Sequence, residues 1–166
     1  MLSQTTFEQF KSAVAEALRA GKKVVTVVRE IPADFVTPMV AYMAVRDERG
    51  SAFLDSVTSG RHIGRYTIIA FRPYMEYVVK DHFVEVKSLE KELCIAKLPT
   101  GGPLDILEFL LKTYSPNKTH PFFTGGALGY VGHEAVTLIE QSVPRHPVDD
   151  LNLPDIFLVF YRDVLV

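Results

Sequence analysis

Three side chains in two neighbouring stretches could act together on a small molecule: Asp55 and Ser56 in Phe53-Leu54-Asp55-Ser56, and Arg65 in Gly64-Arg65-Tyr66-Thr67. A free amino acid carries a cation and an anion close together. It needs an acidic acceptor for the ammonium and a basic or amide donor for the carboxylate. Asp55, the Ser56 hydroxyl and Arg65 supply that set if the two stretches lie side by side. Asp55 and Ser56 are adjacent, so on a regular strand they face opposite sides, and both serve one pocket only where the strand ends or bulges. An Asp55–Arg65 salt bridge across a hairpin is the structural alternative, and spacing leaves both readings open.

Other groups offer less. Gly125-Gly126-x-x-Gly129 lacks the spacing of a dinucleotide fingerprint and the preceding βαβ pattern, and no Gly-Lys-Ser/Thr follows to make a phosphate loop. His62, His82, His120, His133 and His146 are scattered without helical ligand spacing, so no metal site is expected in this chain. Asp149-Asp150 lies in a loop between prolines and reads as solvated charge. Cys94, the single cysteine, sits in an alternating apolar run and reads as a small strand residue. No Ser/His/Asp or Cys/His nucleophilic arrangement is identifiable, and no catalytic residue is assigned. One thiol fits a reducing, cytoplasmic setting. The net charge of −2 argues against nucleic acid as a partner. The N-terminus does not read as a signal peptide, and no apolar run approaches the roughly 20 residues that would cross a bilayer.

The elements that must position these residues follow from pattern. With 166 residues, 48% hydrophobic and 23% charged, the chain can bury one domain-sized core. Thr6 to Ala20 reads as a helix, opened by a Thr6/Gln9 capping box and stopped at Gly21, with Phe7, Phe10, Val14, Ala17 and Leu18 as its apolar stripe. Lys22–Arg29 reads as a strand. Pro38 makes Asp34–Pro38 a loop. Further strands are expected over Met39–Val45, Ala52–Val57, Thr67–Phe71, Tyr74–Lys80, Phe83–Lys87 and Leu93–Leu98, with a tight hairpin at Lys80-Asp81-His82. Gly102-Pro103 opens a second helix, with Leu104, Leu107, Leu110, Leu111 and Tyr114 inward and Ser115-Pro116 at its end. The glycines from 125 to 132 read as a strand admitting a close neighbour, turning helical after Val131. Ile156–Val166 is a strand-like apolar tail. Because natural termini usually fray into polar residues, the last residue reads as a cut inside a longer protein. Short strands at this spacing predict an α+β fold built on a mostly antiparallel sheet with helices packed outside.

With those segments in place, the chain resembles the N-terminal domain of anthranilate synthase component I, of the chorismate-utilising enzyme family. Phe53-Leu54-Asp55-Ser56 is similar to that family's Leu-Leu-Glu-Ser element, and Arg65 to Pro73 to its arginine-led strand ending in proline. Asp34-Phe35-Val36-Thr37-Pro38 resembles its Asp-x-x-Thr-Pro segment. Gly125-Gly126-Ala127-Leu128-Gly129-Tyr130 and Leu153-Pro154-Asp155 match two more elements in order. The resemblance implies a partial α/β sandwich over residues 1–166, followed by a catalytic domain that carries the acid/base groups and the Mg2+ ligands. The whole enzyme, a lyase, would form anthranilate and pyruvate from chorismate and glutamine-derived ammonia at the start of tryptophan synthesis, and 1–166 alone would be inactive. This part would hold Asp55, Ser56 and Arg65 in a tryptophan feedback site and help dock the glutamine amidotransferase subunit. Three positions depart from the family pattern: Asp55 for glutamate, which shortens the reach by one methylene, Ala70 for glycine, and His133 for tyrosine. Aminodeoxychorismate, isochorismate and salicylate synthases share the architecture and are the alternatives, as is a stand-alone metabolite-binding module. A chain parted from its second domain would expose apolar surface and pair as a homodimer.

Overall fold

The computed structural model describes residues 4–47, 49–55, 66–90, 97–116, 125–140 and 142–166. Its elements run in the order α1 Phe7–Arg19, α2 Pro38–Val45, β1 Ala52–Asp55, β2 Thr67–Lys80, β3 Phe83–Ser88, α3 Pro103–Thr113, β4 Leu128–Val131, a 3-10 helix His133–Leu138 and β5 Ile156–Leu165. The long strand β2 is the axis of one antiparallel sheet. Its first half pairs with β1 and its second half with β3, while β5 pairs along its length and carries β4 beyond. The fold is mixed α+β with an antiparallel sheet, as the pattern of short strands implies.

Local chemistry explains the boundaries. In α1 the Gln9 amide donates to Thr6 Oγ1 at 3.2 Å and the Thr6 amide donates to Gln9 Oε1 at 2.8 Å, the reciprocal box expected from the sequence. Gly21 ends the helix with φ 68°, and Lys22 N donates back to the Ala17 carbonyl at 2.9 Å. The β2–β3 turn is carried by Asp81 and His82, both at positive φ, which matches the right-handed twist of the flanking strands.

Four expectations are corrected. Met39–Val45 is the body of α2 and not a strand: Thr37 caps it by accepting from Val40 N at 3.3 Å, and Pro38 occupies the first helical position. Thr67–Phe71 and Tyr74–Lys80 are one strand, bent by a register shift between Pro73 and Met75. A proline lacks the ladder N–H and is tolerated at such a bulge. Lys22–Arg29 forms no strand of the sheet; an isolated bridge from Gln4 to Arg29 is its one strand-like contact among the described residues. The inward face of α3 is Ile106, Leu110, Thr113 and Tyr114, with Leu107 and Leu111 partly buried and Leu104 outside. Of the expected Leu93–Leu98 strand, residues 93–96 lie outside the described residues.

The core sits between α3 and one face of the sheet, where Tyr74, Met75, Tyr77 and Val79 of β2 meet Ile156 and Phe160 of β5. Tyr77 donates its hydroxyl to the Pro103 carbonyl at 2.5 Å, fixing the start of α3 on the sheet. Burial pushes that phenol up to about 12.

Candidate functional site

Asp55 is the last residue of β1, paired in register with Thr67 at the start of β2. The Thr67 hydroxyl donates to Asp55 Oδ1 at 2.7 Å. One carboxylate oxygen is thereby held against the ladder, and the side chain is exposed to a ligand from solvent. Alternation along β1 puts Asp55 on the side of Phe53. Phe53 packs edge-on against Tyr42 of α2, with ring centroids 5.4 Å apart and planes at 64°. The acid therefore stands at the open end of a short strand that is braced by α2. An ionised carboxylate there can accept from an ammonium group while keeping its bond from Thr67. Ser56 and Arg65 lie outside the described residues, so of the three site candidates the described structure positions Asp55. Thr67 was missed as its partner, because only the register of two strands puts residues twelve apart opposite each other.

A second polar cluster, built around Asp155, serves the fold. Its side chain is only 4% exposed. Arg145 grips it with two hydrogen bonds, Nη1 to Oδ2 at 3.0 Å and Nη2 to Oδ1 at 2.6 Å. The Asp81 amide also donates to Oδ2 at 2.9 Å, and Arg145 reaches Asp81 Oδ1 at 3.1 Å. Burial opposes the charge on Asp155, but the guanidinium and the amide outweigh it, and its carboxyl lies below the usual range. Asp155 thus ties the β2–β3 turn, the loop at Arg145 and the start of β5 together. Asp149 is not simply solvated: it pairs with Lys80, whose ammonium also donates to the Leu153 carbonyl at 2.8 Å. Among the described residues, no group of three or more His, Cys, Asp and Glu could hold a metal ion. No helix among them is long and apolar enough to cross a membrane.

No family model matches the chain. It is similar to anthranilate synthase alpha subunit 2, chloroplastic, of Oryza sativa subsp. japonica, at 31% identity over 150 residues, covering 82% of this chain and 25% of that protein. Anthranilate synthase component 1 of Acetivibrio thermocellus is 29% identical, with 86% of this chain and 28% of the relative covered. The component 1 of Acinetobacter calcoaceticus is 27% identical over 100% of this chain and 33% of its own length. The chain spans about a quarter to a third of the relatives it matches. It is a relative of anthranilate synthase component I, corresponding to a portion of that protein.

Proposed function

We propose that this chain is the N-terminal, regulatory and partner-binding portion of an anthranilate synthase component I. The whole protein would convert chorismate, with ammonia drawn from glutamine, to anthranilate and pyruvate at the entry to tryptophan synthesis. The observation that carries the reading is one of coverage: relatives bearing that name match 82% to 100% of this chain, yet the chain amounts to 25% to 33% of them. The acid/base groups and the Mg2+ ligands of the reaction belong, on this reading, to the remaining length.

The role of this portion is to hold tryptophan as an effector and to help seat the glutamine amidotransferase subunit. Asp55 accepts from the effector's ammonium group, and Ser56 with Arg65 takes its carboxylate. The placement of Asp55 at an exposed strand end, held by Thr67, supports this assignment. Coupling follows if tryptophan binds one arrangement of the two parts more tightly than the other. Side chains such as Phe7 and Leu18 of α1 and Met39 and Met43 of α2 are exposed, which supports contact with a further polypeptide.

Titration calorimetry on the complete gene product tests the assignment. Tryptophan should bind the parent protein, and Asp55→Ala and Arg65→Ala should each weaken binding by about tenfold or more, the loss of a charge-assisted hydrogen bond. Unchanged affinity in both variants would remove these residues from the site.

A further inference from the structure

The hydrogen bond from the Thr67 hydroxyl to Asp55 Oδ1, 2.7 Å long, joins two residues that face each other across β1 and β2. Its two ends are not equally anchored. Two residues after Thr67, Ile69 is only 3% exposed and pairs with Phe53 of β1 on one side and with Leu165 of β5 on the other. Ala70, also buried, pairs in the same way with Ala52 and Val164. Thr67 therefore opens a strand that the sheet holds from both sides. Asp55 is exposed and closes β1, a strand of four residues at one end of the strand order. Phe53, on the same face of β1, is braced by Tyr42 of α2, so the backbone leading to Asp55 is supported. What the backbone does not fix is the carboxylate, which turns on two side-chain bonds. Facing positions on antiparallel strands bring Cβ atoms to about 4.5–5.5 Å, a gap that two short side chains such as aspartate and threonine close directly. A carboxylate has about four acceptor positions, so the bond from Thr67 leaves room for a second donor.

We propose that Thr67 is a positioning residue of the effector site: its hydroxyl sets the Asp55 carboxylate in the orientation that receives the ligand's ammonium group, without itself touching the ligand. The hydroxyl proton is committed to Asp55, which leaves Thr67 no donor for a carboxylate of the ligand. An acceptor oriented before the ligand arrives does not have to be ordered on binding, and affinity is higher by that difference. The inference rests on the proposed role of Asp55 in binding the ammonium group of tryptophan.

Calorimetric titration of the complete gene product with tryptophan tests it through a double-mutant cycle. Thr67→Val keeps the β-branched shape that suits a strand and removes the hydroxyl. It should weaken tryptophan binding about fivefold, the effect of one hydrogen bond. Thr67→Ser keeps the donor and should bind within about twofold of the parent. In an Asp55→Ala background, Thr67→Val should have no further effect, because no carboxylate is left to hold. A Thr67→Val protein that binds like the parent, while Asp55→Ala binds more weakly, overturns the role of Thr67 and leaves Asp55 in the site. Equal weakening by Thr67→Val with and without the Asp55 carboxylate, or a Thr67→Ser protein as weak as Thr67→Val, assigns Thr67 to packing and overturns the proposal. Unchanged affinity in Asp55→Ala removes Asp55 from the site, and the inference with it.

Discussion

Asp155 and Arg145 show how a residue can matter without touching a ligand. Arg145→Ala would leave a buried carboxylate with one backbone donor, and the cost should be about 2 to 4 kcal/mol, since removing one partner of a buried pair strands the other charge. Urea denaturation at neutral pH measures it. The carboxyl of Asp155 is lowered in the folded chain, so the unfolded chain takes up its proton first as pH falls. Its stabilisation is complete above the ordinary aspartate value of about 3.9 and is lost as pH drops through the lower folded value. Asp155→Asn should accordingly flatten the fall in stability below about pH 4, and an unaltered acid limb would contradict the role. Little of this was legible beforehand. Asp55 stood out because a carboxylate, a hydroxyl and a guanidinium fell within a few residues of a turn. Asp155, Arg145 and Asp81 are separated in sequence and meet only through the β2–β3 turn and the start of β5.

Among elements, local signals were read well where they act locally and poorly where a neighbour decides. The box at Thr6, the stop at Gly21, the turn at Asp81-His82 and the start of α3 at Pro103 each depend on one or two residues and their backbone. Met39–Val45 was misread because valine, methionine and tyrosine fit a pleated surface as well as a helix. Thr37-Pro38 was the overriding sign, an N-cap followed by a residue preset for the first turn. At Lys22–Arg29 the residues are β-prone, but strand structure requires a partner, and among the described residues the one bridge is from Gln4 to Arg29. Gly129 shows the same dependence on a neighbour. A Cβ built there would stand 1.9 Å from the Phe157 carbonyl oxygen, so β4 and β5 can approach only because it is glycine. Gly129→Ala should destabilise the chain by roughly 2 to 4 kcal/mol by forcing the two strands apart. Thermal unfolding checks this, and a variant within a few tenths of a kcal/mol of the parent would show that the strands can separate at no cost.

For the molecule as a whole, the unsatisfied features are on the outside. Phe35 is 99% exposed and Phe7 and Leu18 are each 70% exposed, while α2 is made entirely of apolar residues and buries none of them fully. A helix apolar on every side normally lies inside a larger body. Residues 1–166 alone should therefore self-associate, and sedimentation velocity at tens of micromolar is expected to show a dimer as the main species. A clean monomer at the highest attainable concentration would contradict that expectation. The antiparallel arrangement was legible in the spacing of strands and turns. Exposed apolar surface was expected from the resemblance, but its location was not legible, because the stripe of α1 reads as a core stripe until the opposing element is sought and not found among the described residues.

The central claim, that this polypeptide is one portion of a chorismate-converting enzyme whose reactive groups lie elsewhere, is tested most directly by following anthranilate fluorescence with chorismate, ammonia and Mg2+. The complete gene product should form anthranilate, residues 1–166 should form none, and mixing residues 1–166 with the separately produced remainder should restore formation. Anthranilate from residues 1–166 alone, or none from the complete protein, would contradict it.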